Sequence, residues 1–183
     1  MINAILTRCV DALSERTGYA AIGEGIALAA AKDEVTLGIQ ALTQLNSFCC
    51  GATAGFTVVG TFHPQADFGE FYAAVHPDPD LGVSRTRLVR ALRRFGVGVR
   101  QERGLTFETI RRAIDDGFPI ITDIYEPGQE CGHWVVLYGY GRKPRRVFLA
   151  VRGLPFFNCN RYAWEEFSRW QTPGKIGLVC WGK

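Results

Sequence analysis

Two residues set 83 positions apart carry the clearest chemistry in this chain of 183. Cys50 lies in Gln44-Leu-Asn-Ser-Phe-Cys-Cys-Gly-Ala-Thr53, and His133 lies in Gly132-His-Trp-Val-Val-Leu-Tyr-Gly-Tyr140. A thiol that meets an imidazole can act as a nucleophile at neutral pH. The small residues after Cys50 read as the opening of a helix, whose first amides and dipole stabilise a thiolate. Gly51 leaves the flank of that thiol open. Cys49 is the rival nucleophile, but the Cys-Gly pair places Cys50 at the helix start and Cys49 one step back in the loop. His63 and His76 sit in loops beside Pro64 and Pro77, whereas His133 heads the strongest β run in the chain. Its fitting role is general base to Cys50, then proton donor to a leaving group. Gln44, six residues before Cys50, offers an amide that can donate to a developing oxyanion beside the backbone N–H of the nucleophile. Each residue alone has a structural reading: a small buried hydrophobe, a satisfied core histidine, a solvated loop amide. Their conjunction favours chemistry.

The elements that must position these residues follow from periodicity and punctuation. Ile2, Ile5, Leu6, Cys9, Val10 and Leu13 recur at helical spacing, and the small apolar residues of 20–43 suggest one or two further helices. Residues 50–62 mix Gly, Ala, Thr and Val, and a buried helix explains that composition through close backbone packing. Asp67 to Val75 is a short helix candidate. The run His76-Pro-Asp-Pro-Asp-Leu-Gly82 is a loop. Ser84 caps a helix that runs through Phe95 and stops at Gly96, and Thr106 caps another that ends at Gly117. Strands are expected at 97–101, 118–125, 134–140, 147–152 and 175–181, with a turn at 126–130 and an irregular loop at 154–161. A final helix is expected at 164–170. Helices early and antiparallel strands late indicate an α+β fold.

Composition narrows the class. The length supports one domain with its own core. Hydrophobic residues make up 47% and charged residues 21%, as in ordinary globular proteins. The net charge of +3 does not by itself argue for nucleic acid. Nine arginines nevertheless fall within the 28 positions from Arg85 to Arg112. They read either as solvated helix faces or as a docking surface for an acidic protein partner, and no nucleic-acid-binding module surrounds them. The apolar stretch 19–31 is broken by Glu24 and is too short to span a bilayer, and its N-terminal flank is a poor signal peptide. A protein folded in the cytosol is expected, with export by a route that reads no N-terminal signal also open. Six cysteines without any C-x-x-C spacing, two of them adjacent, fit reduced thiols better than a disulfide framework or a zinc site.

Taken together, the motifs resemble a family. Gln-x5-Cys-Gly followed by Gly-His-Trp-Val-Val-Leu-x-Gly-Tyr is similar to the papain-like cysteine peptidases, and more narrowly to the C39 (bacteriocin-processing, double-glycine) and C39-like group. Val-Ser-x-x-x-Leu-x-x-Ala-Leu-x-x-Phe-Gly at 83–96, Asp-Asp-Gly-Phe-Pro-Ile-Ile at 115–121 and Trp-Glu-Glu-Phe-x-x-Trp at 164–170 extend the likeness over about 44–170. The resemblance implies a papain-like α+β fold, with an N-terminal helical half packed on an antiparallel β-sheet half. It divides the chain into a helical extension at 1–43 and a peptidase domain at 44–183. It implies Cys50 as nucleophile, His133 as base and Gln44 in the oxyanion hole, with no cofactor. It suggests a protein or peptide substrate with small residues, such as Gly-Gly, before the scissile bond.

One departure stands out. Such enzymes carry an Asp or Asn near the end of the strand after the histidine strand, to orient the imidazole. Here Ala150 or Val151 occupies that place. Asn158 is the candidate orienter a few residues on, with Asn160, a backbone carbonyl or a water as alternatives. Two other readings therefore stand beside the peptidase: a papain-like binding module that has lost turnover, and a thiol acyltransferase of the phytochelatin-synthase type. A metal site built from Cys50, Cys131 and His133 is the least favoured. Neither a membrane nor a nucleic acid is expected as partner.

Overall fold

A computed structural model describes residues 28–31, 33–40, 42–44, 46–125, 131–150 and 160–183. Eight strands and five helices succeed one another among them. The strands are β1 (Leu28–Ala31), β2 (Glu34–Leu37), β3 (Val97–Glu102), β4 (Ile120–Ile124), β5 (His133–Gly141), β6 (Arg146–Ala150), β7 (Asn160–Ala163) and β8 (Gly177–Gly182). The helices are α1 (Cys50–Phe62), α2 (Phe68–Val75), α3 (Arg85–Arg94), α4 (Phe107–Asp115) and α5 (Trp164–Trp170). Every strand pairing is antiparallel, and the hydrogen-bonded path runs β1-β2-β5-β4-β8-β3, with β6 on β5 and β7 on β6. This is the expected α+β architecture, with α1 to α3 grouped ahead of most of the sheet. The helix expected at 2–16 lies outside the described residues.

β5 is the spine of the sheet. It pairs with β4 along Ile124↔His133 to Ile120↔Leu137, and its far half pairs with β2 and β6. From Trp134 onward every residue of β5 is buried, which explains its near-continuous apolar sequence. α1 packs against it. The helix can approach closely because its buried face is built from Gly51, Ala52, Ala54, Gly55, Val58 and Val59. A methyl group at Gly55 would come within 2.7 Å of both Leu88 and Phe71, so that glycine sets how near α2 and α3 lie to α1. Phe71 in turn meets Phe95 edge-on, with ring centroids 5.2 Å apart.

Local chemistry sets the helix boundaries. The Asp67 carboxylate accepts the Glu70 N–H at 2.9 Å, and Ser84 Oγ accepts the Arg87 N–H at 3.4 Å. Thr106 and Thr109 close a reciprocal capping box. Gly96 and Gly117 follow α3 and α4 with φ of +79° and +83°, a conformation that side chains other than glycine rarely adopt. α3 is unusual in charge. It reads Arg-Thr-Arg-Leu-Val-Arg-Ala-Leu-Arg-Arg, with no acid. Its Arg87/Arg90, Arg90/Arg93 and Arg90/Arg94 spacings each oppose the helix by ~0.2–0.5 kcal/mol, and only Arg93 and Arg94 are placed to complement the dipole at its C-terminal end.

Two expectations need correction. Residues 28–37, expected to be helical, form the β1–β2 hairpin, in register from Leu28↔Leu37 to Ala31↔Glu34. Alanine favours helix intrinsically, but β2 alternates half-buried and buried residues and finds its partner in β5 at Glu34↔Gly141. Pairing outweighs propensity there. The helical extension drawn at 1–43 thus contains, at 28–37, two strands of the same sheet that carries His133. Asn160 and Arg161, expected in an irregular loop, begin β7 and pair with Leu149 and Phe148.

Candidate active site

α1 starts at Cys50 with nothing capping it by side chain and with no acidic residue in its first turn. Cys49 is the N-cap residue, and its carbonyl accepts the Thr53 N–H at 2.9 Å to begin the helical ladder. The first amides of such a helix have no intrahelical acceptor, and the dipole adds positive potential beside them. The two adjacent sulfurs are disposed differently. Cys49 is fully buried, and its Sγ is occupied by the Asn46 backbone (N at 3.4 Å, O at 3.5 Å) and by Thr53 Oγ1 at 3.7 Å. Cys50 is 6% exposed, and the backbone N–H groups of Trp134 and Gly51 favour its ionised form.

Helix and sheet meet at this point. Trp134 follows His133 at the head of β5. A methyl group at Gly51, the residue after Cys50, would lie 2.9 Å from Trp134 Cδ1, so the head of α1 stands at the head of β5. His63 lies at the other end of α1, about 20 Å away along 13 residues, and its ring packs on Gly96. His76 is the exposed C-cap of α2. Of the three histidines, His133 is the one whose chain neighbour, Trp134, touches the head of α1.

Three contacts hold this junction, and the sequence signals none of them directly. The Trp134 indole N–H donates to the Val83 carbonyl at 2.9 Å, fully inside the protein. A methyl group at Gly51 would lie 2.6 Å from Val83 Cβ and 2.9 Å from Trp134 Cδ1, so helix, loop and strand touch across that glycine. Val83 is delivered by a tight loop in which Asp78 and Gly82 exchange two backbone bonds of 2.8 Å. The Asp78 carboxylate also accepts the N–H groups of Asp80 and Leu81. The only hint of this arrangement in the sequence is the glycine after Cys50.

Gln44 is buried, and its amide donates to the Asn46 carbonyl, which pins it to the loop that leads into Cys50. A primary amide has two N–H groups, so one donor remains for other use. Ala150 ends β6 opposite Val136, fully buried, and no carboxylate stands at that strand end among the described residues. Asn158 lies outside the described residues.

Burial pushes the Cys50 thiol above its ordinary value. The N–H groups of Trp134 and Gly51 act in the opposite sense, and the neighbouring Cys49 and Cys131 sulfurs add to the rise. Desolvation is the largest of these influences. Chemistry at this sulfur needs a base at the moment of attack. Cys49, Cys50, Cys131 and Cys180 are all unbridged, and no cluster of ligands that could hold a metal ion occurs among the described residues.

A cysteine-headed helix packed against an antiparallel sheet is a papain-like arrangement of elements. Comparison with solved structures narrows it. The chain matches a double-glycine-motif protease from an AMS/PCAT transporter, solved with a leader peptide, at TM-score 0.62 and 19% identity, over 85% of this chain and 99% of that one. It matches the peptidase domain of Streptococcus ComA, a bifunctional ABC transporter involved in quorum sensing, at TM-score 0.65 and 16% identity, over 79% and 98%. It matches a protein assigned as a C39-like peptidase of Bacillus anthracis at TM-score 0.66 and 14% identity, over 83% and 98%. The chain therefore has the fold of the C39 double-glycine peptidase domains. No protein-family model matches it, and no curated protein matches it either.

Proposed function

We propose that this protein is a cysteine peptidase acting on a polypeptide, with Cys50 as nucleophile, His133 as general base and Gln44 as an oxyanion donor. The observation that carries this reading is the contact between Gly51 and Trp134, the residues that follow Cys50 and His133: a methyl group at Gly51 would lie 2.9 Å from Trp134 Cδ1. His133 removes the thiol proton as sulfur attacks the scissile carbonyl. The Cys50 N–H and the remaining Gln44 N–H stabilise the oxyanion. As the C–N bond breaks, the imidazolium returns the proton to the departing amine. Water, deprotonated by His133, then hydrolyses the thioester and regenerates the thiol.

Substrate choice follows from the same geometry. A cysteine only 6% exposed favours a chain whose residues at the acyl side are small. Gly-Gly meets that condition, and the double-glycine proteases among the structural neighbours support it. The test is cleavage of two peptides that differ only at the two residues before the scissile bond, Gly-Gly in one and Leu-Leu in the other. Product from the Gly-Gly peptide alone, absent with Cys50→Ala, is expected. Equal cleavage of both peptides refutes the specificity, and cleavage by Cys50→Ala refutes the nucleophile.

The raised thiol and the apolar Ala150 at the end of β6 favour a second reading, a module that binds peptides without cleaving them. It is distinguished by an intact peptide that stays bound with no acyl-enzyme detectable by mass spectrometry.

A further inference from the structure

α3 and the edge strand β3 enclose a cavity of about 360 Å³ lined by Thr86, Val89, Arg90, Arg93 and Gln101. Among the described residues β3 pairs only with β8, and α3 packs against it. Arg93 Nη2 donates to the Val99 carbonyl at 3.3 Å on that edge, which aims the guanidinium along the cavity and leaves its other donors available. Arg90 is exposed, and neither it, Arg93 nor Arg94 pairs with a carboxylate of the described residues. Within the same cluster Arg85 sits 4.0 Å from Asp123, Arg100 is paired with Glu102, and Arg111 with Glu108 and Asp115. Of the arginines without a carboxylate partner, Arg90 and Arg93 are the two that line this cavity.

We propose that the α3–β3 cavity is a docking site for an acidic segment of a polypeptide, whose carboxylates are received by Arg90 and Arg93. A guanidinium offers a planar fork that matches a carboxylate through two parallel bonds. Thr86 and Gln101 supply neutral polar partners, and Val89 forms an apolar floor suited to the methylenes of a glutamate. An acid-free helix whose arginines stand three and four residues apart has its repulsion relieved by such a ligand. Nucleic acid fits less well. The lining holds no aromatic ring on which a base can stack, and Glu102 on the same strand opposes a continuous run of phosphates. This site is separate from Cys50, and the proposal does not depend on peptidase activity.

The test is fluorescence anisotropy of a labelled peptide alternating Glu and Ser, titrated with the full chain. A peptide alternating Gln and Ser and a single-stranded oligonucleotide of the same net charge serve as competitors. The acidic peptide is expected to bind about tenfold more tightly than the neutral one and to weaken as salt rises. The double variant Arg90→Gln/Arg93→Gln, with an unchanged thermal midpoint, is expected to abolish that advantage. Binding that survives the double substitution overturns the proposal. So does equal binding of the two peptides, or tighter binding of the oligonucleotide that depends on the same arginines.

Discussion

Cys50 and Gly51 must satisfy opposing demands within two residues. The sulfur is buried deeply enough to lie close to the strand, and that burial holds it protonated. Iodoacetamide should therefore label Cys50 slowly near pH 6, with a rate that climbs towards a midpoint above ~8.5, the ordinary thiol value. A midpoint below that value contradicts the electrostatic assignment. Gly51 tests the geometry independently. Gly51→Ala forces a methyl group against Val83 and Trp134, at 2.6 Å and 2.9 Å before relaxation. Overpacking of this kind costs about 1–3 kcal/mol. Peptidase activity should fall by more than the lost stability explains, because the strain displaces the neighbouring sulfur. Activity that tracks the folded fraction alone rules out a positioning role for Gly51.

α1, β5 and the loop ending at Val83 act together, and the Trp134 indole joins two of them. Trp134→Phe keeps an aromatic ring but removes the pyrrole half with its N–H, leaving the Val83 carbonyl without its buried donor. The expected loss is about 1–3 kcal/mol, read as a lower thermal or urea midpoint. An unchanged midpoint means that this contact does not fasten the junction. The contact also shows what was legible beforehand. Gln44, Cys50 and His133 stand out in the sequence by their spacing and neighbouring residue types, and their roles are proposals. Ser84, Thr106 and Gly117 marked helix ends because a cap is local chemistry. The Trp134–Val83 bond spans 51 residues and leaves no local pattern. β1 and β2 were misread for a related reason: their partner strand lies about a hundred residues away, and alanine propensity pointed elsewhere.

Over the whole molecule, burial of thiols couples stability to pH. Cys180 is fully enclosed and donates its S–H to the Leu178 carbonyl at 3.3 Å, and burial pushes it far above the usual thiol range. Cys50 is shifted in the same direction. Both groups bind their protons more tightly folded than unfolded. Their stabilising effect is complete below the unfolded thiol value and is lost as pH rises through the folded one. The free energy of unfolding should thus decline from about pH 8.5 upward, by at most about 1.4 kcal/mol per pH unit for each thiol. Urea titrations at increasing pH read that slope, and Cys180→Ala should flatten it. A slope that survives the substitution unchanged assigns the effect to other groups. No helix among the described residues is long and apolar enough to cross a membrane. The central claim concerns the sulfur of residue 50 and the ring of residue 133, and one labelling experiment reaches both. A Gly-Gly peptide carrying a thiol-reactive electrophile in place of the scissile carbonyl is incubated with the chain, and the adduct is mapped by mass spectrometry. The account predicts modification at the buried Cys50 and not at the exposed Cys131, slowed about a hundredfold or more by His133→Ala. Modification at Cys131, or at Cys50 with a rate indifferent to His133, contradicts it.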